Sequence, residues 1–236
     1  DAAPGRVGTG QVSTTAFLVP ADSVSYWLDR LDDAGVDRDD PQERFGDTVL
    51  RFRDPDGLRL ELVARADAPP GDPPEGPVPS THAIRGFFGV TLSLESIGRT
   101  ADLLERMGFE RTGTEQHRTR YEAAGDLGYV VDLCEDPEAP TGRPGAGTVH
   151  HVAFQVTAED QAAWRDVLFD HGLRPTEIID RKWFESVYAR TPGGVLFEFA
   201  TKEPGYTVDE DLDAHGERLV LPAWLEDRRD EIEAGL

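Results

Sequence analysis

The sequence predicts an α+β fold made of tandem βαβββ modules. The chain aligns with itself without a gap when residue 5 is placed on residue 142, so that GRVGTGQVSTTAFLV falls on GRPGAGTVHHVAFQV. The same register continues through Trp27 on Trp164 and reaches Glu61 on Glu198. Register held over such a length marks two copies of one unit. Each copy shows a strand pattern, a helix pattern and then further strand patterns.

The first copy, residues 1–65, opens with a strand and a helix. Residues 11–19 are rich in β-branched and aromatic side chains, which favour a strand. Asp22 or Ser23 can cap a helix that Gly35 ends. The apolar residues of this helix recur at helical spacing: Val24, Trp27, Leu28 and Leu31.

Two more strands and a linker follow. Residues 48–53 and 58–63 predict strands, because the Asp-Pro-Asp-Gly segment between them favours a tight turn. Residues 66–80 carry six prolines and two glycines. Such a composition predicts a linker that lies outside helices and sheets.

A divergent module is predicted for residues 81–140. Residues 86–94 form its first strand, and Ser96 can cap a helix that Gly108 ends. Two further strands are predicted, at residues 121–122 and 128–134.

The second copy occupies residues 141–203, and residues 204–236 form an acidic tail. The tail is irregular until Pro222, which suits the first turn of a closing amphipathic helix over residues 222–234. The apolar residues of that helix predict a face that docks on the rest of the protein: Trp224, Leu225 and Ile232.

The composition restricts the classes of partner. The chain has 46 Asp plus Glu against 24 Lys plus Arg, a formal net charge of -22. Such a surface repels phosphate backbones and anionic lipids, so we expect neither nucleic-acid nor membrane partners. The acidity predicts solubility in high salt, as in proteins of halophiles. The lone Cys134 excludes an internal disulfide and a cysteine-rich metal site, which fits a reducing cytoplasm.

Two histidines and one glutamate of the second copy are the candidate site residues. Neighbouring residues of a strand point to opposite faces, so His150 shares a face with the apolar Val152 and is predicted to lie on the helix-packed side. His151 is predicted to project from the opposite, more polar face. The same alternation separates Glu198 from Phe197, so we expect His151 and Glu198 to face one concavity.

The other modules serve as an internal control. The first copy keeps the glutamate as Glu61 but has Ser13 and Thr14 in place of the histidines, and the divergent module has Gly89 there. Because two candidate ligands do not make a metal motif, a satisfied histidine and a solvated glutamate remain the alternative at this point.

Three segments resemble a known family: GRPGAGTVHHVAFQV, DRKWFESVYARTPGGVLFEFATKEPGYTVDED and GERLVLPAWLEDRRDEIE. They resemble the vicinal oxygen chelate superfamily, which contains glyoxalase I, bleomycin resistance proteins and type I extradiol dioxygenases. The resemblance covers essentially the whole chain and is closest to ring-cleaving dioxygenases of the hydroquinone dioxygenase type. It implies four βαβββ modules, which form curved mixed sheets with helices on the outer face.

The resemblance also implies a non-haem iron(II) site held by two histidines and one glutamate. It assigns His151 and Glu198 as metal ligands, with Mn, Zn or Ni as alternative metals. Tyr188, Arg181 and His150 fall where the family has catalytic groups. Tyr188 would hydrogen-bond a substrate hydroxyl, Arg181 would steady negative charge, and His150 would relay a proton or orient a ligand.

The chain departs from the family pattern in its second histidine ligand. That ligand belongs to a first module, which we expect upstream of Asp1, so that residues 1–65 would be the second of four modules. The chain by itself is then expected to hold a metal weakly or not at all. The other histidines are expected at the surface: His82, His117, His171 and His215.

The expected activity is extradiol-type cleavage of a catechol- or hydroquinone-like ring, with the aromatic compound and dioxygen as partners. A glyoxalase-like metal-dependent lyase or isomerase is one alternative. A metal-free binding module of the bleomycin-resistance type is another. An unpaired module with an exposed sheet edge would favour a homodimer.

Overall fold

A computed structural model describes residues 3–70 and 76–236 of the protein, so residues 71–75 of the predicted linker lie outside it. The chain divides into two compact units. The first contains the described residues of Asp1–Val152 together with Arg190–Leu196, and the second contains Ala153–Ala189 and Phe197–Leu236. The predicted α+β class with tandem βαβββ modules is confirmed, whereas the module boundaries drawn from the sequence remain predictions.

The first module contains one helix and four strands. Gly35, with φ of +65°, follows the helix and ends it as predicted. The carboxylate of Asp54 accepts hydrogen bonds from the backbone N–H groups of Asp56 and Leu58, which fixes the predicted turn. The elements are β1 (Gln11–Pro20), α1 (Val24–Asp33), β2 (Gln42–Arg44), β3 (Asp47–Arg53) and β4 (Arg59–Arg65).

The divergent module repeats this order of elements. Its first strand has the predicted limits, but the helix begins at Gly98 with Ile97 at the N-cap, so the prediction that Ser96 caps it is wrong. The strand Glu110–Glu115 was not predicted, because ERTGTE has no apolar residue and is almost wholly exposed. The elements are β5 (Gly86–Leu94), α2 (Gly98–Arg106), β6 (Glu110–Glu115), β7 (Arg118–Glu122) and β8 (Val130–Glu135).

These two modules share one eight-stranded sheet in the order β2-β3-β4-β1-β5-β8-β7-β6. Strands β1 and β5 join the modules in antiparallel pairing, while β1 with β4 and β5 with β8 are parallel. The order outward from the join is therefore the same on both sides. One core cluster spans the join, and it includes Leu18, Val49, Val63, Phe88 and Val130. Trp27 and Leu31 of α1 are buried, and Trp27 packs with Val19, Leu50 and Leu62 of the sheet.

The last module forms a separate four-stranded sheet in the order β10-β11-β12-β9. The Thr157 hydroxyl caps the helix by accepting a hydrogen bond from the Asp160 backbone N–H. Trp164 of the helix stacks on Phe199, whose neighbour on the same face, Phe197, contacts Phe154. The predicted packing of Phe197 and Phe199 is confirmed. The elements are β9 (Val152–Gln155), α3 (Ala158–Asp170), β10 (Ile179–Asp180), β11 (Glu185–Arg190) and β12 (Leu196–Ala200).

The tail differs from the single closing helix predicted for residues 222–234. It forms a 3-10 helix at Ala223–Arg228 followed by a short α4 (Arg229–Glu233). Trp224 is 60% exposed, so its predicted place on a docking face is wrong. Arg229 instead binds the carboxylates of Glu226 and Glu233, and charge rather than apolar packing holds this turn. None of the helices in the described residues has the length and apolar character needed to cross a bilayer.

Candidate functional site

Glu198 is the centre of a buried hydrogen-bonded cluster in the last module. It lies on β12 and is only 4% exposed. The hydroxyls of Ser186 and Tyr188, both on β11, donate to the same carboxylate oxygen, Oε1; the distance from Tyr188 Oη is 2.7 Å. A buried carboxylate is costly unless its oxygens accept hydrogen bonds, so these two hydroxyls stabilise Glu198 in its buried position.

The alternation of side chains along β11 explains this arrangement. Ser186 and Tyr188 are two residues apart and share a face, whereas the buried Val187 and Ala189 occupy the opposite face. Tyr188 was predicted from the family resemblance, whereas Ser186 was not predicted. The same two-residue periodicity that separated Glu198 from Phe197 would have identified Ser186 as its partner.

Arg181 lies beside Tyr188. Its guanidinium carbon is 5.3 Å from the centroid of the Tyr188 ring, within the range of a cation–π contact. A turn positions the arginine: the Arg181 backbone N–H donates to the Phe184 carbonyl, and Lys182 between them has φ of +74°. Arg181 is exposed, so its charge is available to an approaching ligand. Three of the predicted site residues therefore come together: Glu198, Tyr188 and Arg181.

His150 and His151 form a second pair, at the residues just before β9. Their Nδ1 atoms are 2.9 Å apart, and the ring planes are nearly perpendicular at 89°. His150 is exposed and His151 is half-buried. The prediction that His150 packs on the helix side is wrong. Strand alternation was extended to it, but β9 begins only at Val152.

The contact between the two rings restricts their protonation. One Nδ1 must donate and the other must accept, so the two rings cannot both be charged while the contact persists. The neutral ring that carries its proton on Nδ1 has an unprotonated Nε2, which is the form of imidazole that binds a metal. The two histidines were predicted to lie on opposite faces of a strand. Their rings are instead in contact.

The described residues contain no group of three or more His, Cys, Asp or Glu side chains that could hold a metal ion. Two of the other histidines have structural contacts instead. His82 is half-buried, where its Nδ1 lies 3.2 Å from the Ser23 hydroxyl and its ring stacks on Tyr26. His215 Nε2 donates to the Glu210 carbonyl oxygen at 3.1 Å.

The glutamate of the first copy has a different environment from Glu198. Glu61 is 2% exposed. Its carboxylate accepts hydrogen bonds from Arg44 Nη1 at 2.7 Å and from Arg44 Nη2 at 3.0 Å. Arg51 Nε is a further cationic neighbour at 3.4 Å. The retained carboxylate of this copy is therefore the acceptor of a buried ion pair.

The chain is similar to a known family and to several known proteins. The family model of the Glyoxalase/Bleomycin resistance protein/Dioxygenase superfamily matches residues 109–199. The chain is 42% identical to "Putative ring-cleaving dioxygenase MhqO" of Bacillus subtilis, over 98% of this chain and 74% of that protein. It is 36% identical to the chlorohydroquinone/hydroquinone 1,2-dioxygenase of Sphingobium indicum, over 97% of this chain and 73% of that enzyme.

Solved structures give the same assignment. A crystal structure titled as a putative dioxygenase from Bacillus subtilis superimposes with a TM-score of 0.93 at 42% identity, covering 100% of this chain and 76% of that one. Glyoxalase I from Zea mays superimposes with a TM-score of 0.61 at 16% identity, covering 84% of this chain and 69% of that one, and so shares the fold. The 42% identity to MhqO over 98% of this chain, together with the family-model match, establishes that the chain belongs to the glyoxalase/bleomycin resistance protein/dioxygenase superfamily.

Proposed function

We propose that the protein is a ring-cleaving dioxygenase that acts on a dihydroxylated aromatic compound, such as a catechol or hydroquinone. We further propose that the reaction is of the extradiol type and depends on non-haem iron(II). The observation that carries the proposal is the buried Glu198 carboxylate held by the hydroxyls of Ser186 and Tyr188. The relatives named as ring-cleaving dioxygenases support the reaction class.

His151 and Glu198 are the proposed metal ligands. An imidazole nitrogen and a carboxylate oxygen suit iron(II), and they also suit Mn, Zn or Ni. Since the described residues offer no three-ligand group, we propose that a histidine of a further module supplies the third donor. When bound, the metal would supply a Lewis acid with open positions for a substrate hydroxyl and for dioxygen.

The remaining residues have proposed roles in positioning and proton transfer. The Tyr188 hydroxyl orients Glu198 and lies where it can hydrogen-bond a substrate hydroxyl. Arg181, exposed beside the Tyr188 ring, stabilises the negative charge of a substrate that has lost a hydroxyl proton. His150 relays a proton or orients the proposed ligand His151, whose Nδ1 its own Nδ1 contacts at 2.9 Å.

The test is oxygen consumption by the chain extended with all coding sequence upstream of Asp1, loaded anaerobically with iron(II). We expect uptake of dioxygen with catechol or hydroquinone. His151→Ala and Glu198→Gln should each lose at least ~10²-fold in activity and lose bound metal, because each removes a donor atom. His171→Ala, at the C-cap of α3, is the matched control and should retain both. An iron-loaded protein that consumes no dioxygen with any dihydroxybenzene would refute the proposal.

A further inference from the structure

The unit that contains the eight-stranded sheet has a cavity of about 340 Å³. Its lining residues differ in chemical character from those of the Glu198 cluster. This volume is within the range of small-molecule sites. Three arginines and one histidine line it, against one carboxylate, Asp136. A positively charged lining is unexpected in a chain with a net charge of -22. The arginines are Arg51, Arg59 and Arg118, and the histidine is His117.

The internal repeat shows how this cavity differs from the candidate metal site. In the register that places Glu61 on Glu198, Thr14 replaces His151 and Arg51 replaces Tyr188. Arg59 replaces the apolar Leu196 in the same register. The first copy has thus lost the histidine and tyrosine and gained two guanidinium groups, which cannot bind a cation but suit an anion.

Two of the three arginines already have carboxylate partners. Arg118 binds Asp132 at 3.0 Å and the Thr91 hydroxyl at 2.6 Å. Arg51 lies between Glu61 at 3.4 Å and Asp39 at 3.5 Å. These contacts hold both guanidinium groups at the cavity wall with part of their charge balanced.

Arg59 is the exception. It makes no ion pair with any residue that the structure describes, and its buried Nε has no hydrogen-bond partner there. Burial lowers the pKa of Arg59, and the charges of Arg53 and Arg51 lower it further. A buried guanidinium N–H without an acceptor, close to other positive charges, destabilises the folded protein. A bound anion would accept the missing hydrogen bond and offset the repulsion between the arginines.

We propose that this cavity binds a small, singly charged oxyanion group, through Arg59 with Arg51 beside it. A ligand with a single negative charge is favoured, because among the lining arginines only Arg59 has no carboxylate partner in the described residues. Asp136 would repel additional negative charge on the ligand. A carboxylate matches the planar fork of a guanidinium, and a monoanionic phosphate offers the same pair of acceptor oxygens. The site is independent of the proposed metal chemistry.

Titration calorimetry of the chain with acetate and with inorganic phosphate, at constant ionic strength set by NaCl, tests the proposal. We expect at least one anion to bind and Arg59→Gln to weaken that binding at least ~10-fold, because it removes the charge and the fork together. Arg59→Lys should bind with intermediate affinity, since it keeps the charge alone. Arg99→Gln, an equal change of charge at the exposed start of α2, should bind as the unaltered chain does.

The relative affinities identify the ligand class. Tighter binding of acetate indicates a carboxylate ligand, tighter binding of phosphate indicates a phosphate ligand, and either supports the site. The proposal is overturned if neither anion binds, or if Arg59→Gln binds with unchanged affinity. Since the measurement needs no metal and no turnover, its outcome is separate from that of the dioxygenase assay.

Discussion

The partners of the two equivalent glutamates differ in charge. Ser186 and Tyr188 offer neutral hydroxyls to Glu198, whereas Arg44 and Arg51 bring positive charge to Glu61. Neutral donors stabilise a buried carboxylate without cancelling its charge, which suits a group that has a metal ion to bind. Cationic donors cancel that charge. One position in the repeat thus holds either a carboxylate bonded to hydroxyls, the proposed metal ligand Glu198, or a carboxylate in an ion pair, Glu61.

Tyr188→Phe tests the role of the tyrosine hydroxyl directly. Removing the hydroxyl takes one hydrogen bond from Glu198 Oε1 and leaves the ring packing nearly unchanged. We expect metal affinity of the upstream-extended protein to fall about 10- to 100-fold, as for other groups that orient a ligand, and the free energy of unfolding to fall by about 1 kcal/mol. Competition with a chelator measures the first quantity and urea unfolding the second.

Tyr206→Phe is the matched control, because Tyr206 is exposed and its ring stacks on Trp183 away from Glu198. Its metal affinity should equal that of the unaltered protein. Equal affinities in Tyr188→Phe and Tyr206→Phe would show that the Tyr188 hydroxyl does not orient a metal ligand.

At the scale of elements, the sequence predicts those whose residues carry a strong local pattern. The strand Gly86–Leu94 has the predicted limits, since its apolar and β-branched residues are enclosed by turn residues. The polar strand Glu110–Glu115 was missed because its pairing with Arg118–Glu122, rather than apolar burial, defines it. Alternation separated Glu198 from Phe197 but failed at His150, where the chain is not yet a strand.

The buried ion pair between β2 and β4 gives a prediction for the stability of the first module. Arg44→Met would leave the 2%-exposed Glu61 with only the more distant Arg51. We expect a loss of about 3–5 kcal/mol in the free energy of unfolding, the usual cost of an uncompensated buried charge. Urea unfolding followed by the fluorescence of Trp27, which packs in the same unit, measures it.

Two further variants distinguish the two possible causes of this loss of stability, which are the unpaired buried charge and the lost packing of the Arg44 side chain. Combining Arg44→Met with Glu61→Leu should restore most of the stability, because no unpaired charge then remains buried. Arg38→Met breaks the exposed pair with Asp32 and should have little effect. A double variant as unstable as Arg44→Met alone would attribute the loss to packing instead.

At the scale of the whole molecule, the excess of carboxylates over basic side chains sets the net charge of -22. Arginine supplies nearly all the positive charge, since Lys182 and Lys202 are the only lysines. Many arginines are held in specific pairs, such as Arg229 with Glu226 and Arg120 with Asp132. These pairs neutralise only part of the surface. The remaining carboxylates repel one another and disfavour the compact state.

Added salt should therefore stabilise the protein at neutral pH. Raising KCl from about 0.1 M to about 1 M shortens the Debye length from about 10 Å to about 3 Å, which screens the repulsion between exposed carboxylates. The same screening weakens the exposed ion pairs, but 46 acidic against 24 basic residues make relief of repulsion the larger effect. We expect the midpoint of thermal unfolding, measured by calorimetry, to rise with KCl. Near the sequence pI of about 4.5 the net charge is close to zero, so the same addition of KCl should change the midpoint much less. An equal response at both pH values would mean that charge screening is not the cause.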